Sequence, residues 1–137
     1  MLKESPSVRQ APGEPRRRWF SSAALDLIVW VDENGAAVGF QLCYDLGADE
    51  RALTWSAPDS FSHSIVDDGE GRDFRHKGTP ILRPGSALDA RRAAELFAAE
   101  RAELPHGLAT LVAAKLAEFG RRAARAARPP RKGTQKK

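Results

Sequence analysis

The sequence predicts an α+β domain: an antiparallel meander of about four strands, followed by two C-terminal helices packed on one face of the sheet. Three observations lead there. Apolar residues alternate with period two through residues 25–44 and resume in phase at Leu53 and Trp55. Helical spacing begins only after Pro84-Gly85 and holds to Phe119. Strands that precede helices, instead of alternating with them, are the order of an α+β domain.

Charge divides the 137-residue chain into three parts: residues 1–18 carry a net +3, residues 19–120 a net −7 and residues 121–137 a net +8. Residues 1–15 mix Pro6, Pro12 and Gly13 with polar side chains and have little to bury, which predicts a disordered arm. The domain is expected over residues 16–120, long enough for one hydrophobic core and too short for two. Residues 121–137 read as a basic tail, helical at first because alanine and arginine favour that state, then disordered.

Asn34-Gly35 reads as a two-residue type I′ turn, since both residues tolerate positive φ. Pairing outward from Glu33 opposite Ala36 sets Val31 on Val38, Val29 on Phe40, Leu27 on Leu42 and Leu25 on Tyr44, an all-apolar face. The reverse face receives Ile28 with Gln41, Asp26 with Cys43, and Trp30 over the bare Gly39. A four-residue loop over residues 46–49 brings Leu53 to Leu42 and Trp55 to Phe40, so three strands share one apolar surface. A fourth strand over residues 61–67 follows the Pro58-Asp59-Ser60 turn. A five-residue connection turns Phe61, His63 and Ile65 to the core, and a four-residue one turns them away.

Residues 67–78 read as a polar loop and residues 79–82 as a short strand. Ser86 with Asp89 three residues on resembles a capping box for a helix running to Leu104. Pro105 suits the first turn of a second helix, on which Leu108, Leu111, Val112, Leu116 and Phe119 form one apolar face. Gly120 either ends or weakens it.

Cys43 is the single cysteine, so an internal disulfide is impossible and a reducing compartment is expected. The alanine- and arginine-rich composition fits a bacterial cytoplasmic protein. No segment is apolar enough to enter a membrane. No motif asks for a cofactor.

Three functional readings follow. The first is a binding or interaction module of unknown ligand, with a homodimer as its simplest form. It rests on the reverse sheet face, where Trp30, Gln41 and Thr54 are more apolar in company than solvent requires, so that Trp19, Phe20, a helix or a partner must cover them. The second is a metal-dependent or acid/base hydrolase, with His63, Asp67, Asp68, Glu70 and His76 as oxygen and imidazole ligands, or with His63 or His76 as proton carrier and Asp67 or Glu70 orienting it. The third is non-specific nucleic-acid binding through Arg121, Arg122, Arg125, Arg128, Arg131 and Lys132, a run without an aromatic residue and hence without a base-stacking platform. The same tail can instead fold back on the acidic domain.

Overall fold

The computed structural model describes residues 1–6, 8–10, 12–47, 50–65, 79–80 and 86–127. Among the described residues, seven antiparallel strands follow one another in sequence order across a single sheet: β1 (Lys3–Glu4), β2 (Arg16–Ser21), β3 (Asp26–Val31), β4 (Ala37–Tyr44), β5 (Arg51–Ser56), β6 (Ser60–Ile65) and β7 (Thr79–Pro80). Helices α1 (Ser86–Glu100) and α2 (His106–Ala127) then pack on one face. The α+β meander with C-terminal helices is therefore present, and its sheet is wider than four strands.

The extra width comes from the N-terminus. Arg16 to Ser21 pair with β3 in unbroken register, from Arg16 opposite Val31 to Ser21 opposite Asp26. Lys3 and Glu4 pair in turn with Ser21 and Phe20. Leu2 is fully buried in the core, and its N–H donates to the Glu100 carbonyl at 2.9 Å. Residues read from the sequence as a disordered arm thus supply a core side chain and an edge strand.

The β3–β4 turn departs from the expected geometry, yet the faces come out as expected. Asp32 accepts two backbone N–H groups on its Oδ1, from Asn34 and Ala36, each at 2.9 Å. The Gly35 N–H donates to the Asp32 carbonyl at 3.0 Å, and Gly35 alone in the turn takes positive φ, at 82°. The apex is accordingly Glu33-Asn34, followed by a left-handed glycine, and not Asn34-Gly35. This loop is one residue longer than a type I′ connection. A β-bulge on the opposite strand removes the shift: Trp30 pairs with Gly39 but Val31 with Ala37, leaving Val38 as the extra residue. Val38, expected in the core, is half-buried and outside it, and Ala37 packs there instead. Below the bulge Val29 meets Phe40 and Leu27 meets Leu42, and on β5 Trp55 meets Phe40 and Leu53 meets Leu42.

β6 takes the facing of the five-residue alternative, although Ser56 already pairs with Ser60 and only residues 57–59 join the strands: an odd number gives the same parity. Phe61 lies opposite Trp55 and His63 opposite Leu53, which sets both on the helix-covered face.

The core under the helices joins Phe20, Leu27, Phe40, Leu42, Leu53 and Trp55 to Phe97, Val112, Leu116 and Phe119. α1 stops at Glu100, short of the expected Leu104, and Leu104 nevertheless reaches the core from the interhelical turn. α2 runs through Gly120 without a break. A Cβ there would stand 3.7 Å from that of Ala90, so α1 and α2 approach closely at this point. The reverse face is buried within the single chain as well: Ile28, Trp30, Gln41 and Cys43 are fully inaccessible. No described helix is long and apolar enough to cross a membrane.

Candidate functional site

His63 sits inside the protein. Its parity on β6 directs the imidazole at the helices, where it meets Phe119 edge-on at a centroid distance of 6.3 Å and is completely buried. Tyr44 OH and His63 Nε2 share a hydrogen bond of 2.8 Å, and Ser86 Oγ stands 3.4 Å from Nδ1. Ser86 opens α1, so the hydroxyl expected in a capping box faces the imidazole. One turn on, Asp89 brings Oδ2 to 3.6 Å from Nε2 and to 3.5 Å from an Arg51 guanidinium nitrogen. Tyr44, His63, Ser86, Asp89 and Arg51 thereby link β4, β5 and β6 to the start of α1. A buried imidazole bonded at both nitrogens holds its tautomer and its orientation, which is the chemistry of a core histidine.

Of the expected metal set, Asp67, Asp68, Glu70 and His76 lie outside the described residues. His63 faces the core. Among the described residues no three His, Cys, Asp or Glu side chains converge as a metal site requires.

Trp30, Gln41 and Thr54 are neighbours, as the register demanded. Gln41 Nε2 donates to Thr54 Oγ1 at 3.3 Å across β4 and β5, and Cys43 Sγ approaches Gln41 Oε1 at 3.7 Å. All three expected interface residues are interior, however: Trp30 and Gln41 are 0% exposed and Thr54 5%. The sequence left open whether the chain or a partner covers this face; the three are buried within the single chain, with Gln41 and Thr54 hydrogen-bonded to each other. Trp19 shares their side of the sheet, and Phe20 points to the helices.

The basic tail divides. Arg122 turns back onto the domain, where it donates to the Asp59 carboxylate and to Glu118 Oε2 at 2.6 Å, and stacks over the Phe61 ring at 4.8 Å. The Asp59 hydrogen bond, ahead of that from Glu118, raises the guanidinium above its ordinary pKa. Arg121 and Arg125 are exposed on the same helix. Arg128, Arg131 and Lys132 lie outside the described residues.

An open site appears where none was expected, beside β2. A groove of about 1000 Å³ runs between the N-terminal segment and the β2–β3 edge, lined by Glu4, Gln10, Glu14 and the three arginines Arg16, Arg17 and Arg18. Glu4 grips Arg18 through two hydrogen bonds of 2.8 Å, and Glu14 Oε1 accepts from Arg17 Nη2 at 3.3 Å. The Arg18 bond holds the Glu4 carboxyl below the usual carboxylate range, against a smaller opposing effect of burial. Arg17 keeps a buried Nε with no hydrogen-bond partner among the described residues. Arg16 is exposed. The sequence signal was the run Arg16-Arg17-Arg18 directly before Trp19-Phe20, with Glu4 and Glu14 upstream. Reading it requires knowing that Lys3, Glu4, Ser5 and Gln10 all lie against β2. No protein-family model, no curated protein and no solved structure matches this chain.

Proposed function

We propose that this protein is a small bacterial cytosolic binding module whose working surface is the arginine-lined groove along β2. The observation that carries the reading is a contrast in access. The only side chain of the hydrolase set among the described residues, His63, is sealed in the core, whereas the groove is open and offers cationic side chains together with a sheet edge. A site that meets a partner has to be reachable, and arginine is the residue best suited to holding anionic groups by paired hydrogen bonds. The homodimer reading loses its expected surface, because Trp30 is interior.

The test is retention from cell extract on immobilised protein, comparing wild type with Arg16→Glu and with Arg121→Glu/Arg125→Glu. Components retained by wild type and by the α2 variant, but lost with Arg16→Glu, support the groove. Components lost only with the α2 variant favour binding through the tail. A rise in Tm that depends on a divalent metal would favour the hydrolase reading instead.

A further inference from the structure

Resting on that reading, we infer that the groove recognises an extended acidic peptide, which adds as a strand to the outer edge of β2 in place of the chain's own Gln10 side chain.

The molecule already binds an imitation of this ligand. β1 pairs with β2 at Phe20 and Ser21, and the Ser5 N–H donates to the Trp19 carbonyl at 2.8 Å. At the next outward-facing residue of β2 a side chain takes over the cover. Arg17, two residues further along β2, has both backbone groups answered by one side chain: its N–H donates to Gln10 Oε1 at 2.7 Å, and its carbonyl accepts from Gln10 Nε2 at 3.1 Å. A primary carboxamide presents an acceptor and a donor side by side, as a neighbouring strand does. Gln10 is exposed, so this cover is held by two bonds at the surface and by no packing in the core. Uncovered sheet edges are templates for strand addition.

The side chains specify the sign of the guest. Consecutive strand residues point to opposite faces, so Arg16 and Arg18 project to the helix side and Arg17 to the other. Glu4 and Glu14 occupy Arg18 and Arg17 from the chain's own segment. Arg16 is exposed and makes no ion pair among the described residues, and Arg17 Nε is an unmet buried donor. A guest strand with carboxylates at successive positions would meet Arg16, Arg17 and Arg18 in turn and satisfy that donor. A second copy of β2 would set arginine against arginine, and like charges directly opposed across strands are destabilising.

The experiment uses the full chain, labelled with ¹⁵N, and a capped octapeptide carrying three successive glutamates between valine and threonine flanks. Controls replace the glutamates by lysines, replace the central residue by proline, or substitute a short DNA duplex. The expected result is saturable shifts of the Arg16, Arg17 and Arg18 amides and of the Gln10 carboxamide with the glutamate peptide alone. Gln10→Ala should tighten binding about fivefold, because the equivalent of one exposed hydrogen bond need no longer be displaced. Arg16→Glu should weaken it about tenfold. Equal binding of the lysine or proline peptide, the same shifts from the DNA duplex, or an unchanged affinity in Gln10→Ala would overturn the inference. If the glutamate peptide fails while extract components still depend on Arg16, the peptide class falls and the binding module stands.

Discussion

Single side chains decide between chemistry and architecture here, and His63 is the clearest case. Tyr44→Phe removes the hydroxyl that shares a 2.8 Å hydrogen bond with Nε2. The substitution should cost about 1–3 kcal/mol in urea unfolding, the range for removing one partner of a buried hydrogen bond. A cost below the error of the measurement would show that the bond does not hold the core together. Gly120→Ala should act the other way. Its Cβ meets Ala90 at ordinary contact distance, and alanine gains about 0.5–1 kcal/mol over glycine inside a helix. A lower Tm for that variant would contradict the close but unstrained approach of α1 to α2. Glu4 supplies a pH dependence. Its folded pKa is depressed, chiefly by the Arg18 hydrogen bond, so its contribution is fully present above the unfolded pKa and is lost as pH falls through the folded value. Wild type should therefore lose more stability on acidification than Glu4→Gln. The difference should stay within roughly 1 kcal/mol, since the pair is solvent-screened. Equal acid sensitivity of the two proteins would remove the pair from the account.

At the scale of elements, register was legible and turn chemistry was not. Alternation over residues 25–44, with Leu53 and Trp55 in phase, specifies which side chains share a face, because a one-residue slip would expose the whole apolar set. The turn escaped because the Asp32 carboxylate, not weighed as a local acceptor, captures two backbone N–H groups and moves the apex one residue toward the N-terminus. The bulge at Val38 cancels that shift, so two departures of one residue each leave the expected faces intact. β2 was invisible for a different reason. Arg16-Arg17-Arg18 has no alternation to read, and its pairing is set by continuation of the sheet past β3. The parity of His63 depended only on whether the β5–β6 connection has an odd or an even number of residues. Gly35→Ala should destabilise the hairpin by about 1 kcal/mol or more, because a side chain is strained at a φ of 82°. Neutral behaviour in thermal unfolding would argue for a different turn.

For the whole molecule, the charge segregation in the sequence marked two basic flanks and left open whether the C-terminal one folds back on the acidic domain; among the described residues both flanks make contacts with the domain. The N-terminal arm supplies Leu2 to the core and Glu4 to Arg18. The start of the tail supplies Ala123 to the core and Arg122 to Asp59. Truncation after Gly120 should consequently lower Tm by several degrees through loss of the Ala123 packing; an unchanged Tm would show that this last stretch of α2 adds nothing to the fold. Charge reversal at Arg121 and Arg125 is thus the cleaner probe of nucleic-acid binding. The groove was the least legible part, because it exists only once Glu4 and Gln10 lie against β2, and no periodicity in the N-terminal sequence announces that contact.

The central claim is that partners meet this protein at the β2 edge. Its most direct measurement is photo-crosslinking in cells from a reactive residue placed at Arg16, compared with one at Leu88, an exposed position on α1. The account predicts a discrete adduct from position 16 and none from position 88. Adducts of equal yield from the two positions, or from position 88 alone, would contradict it.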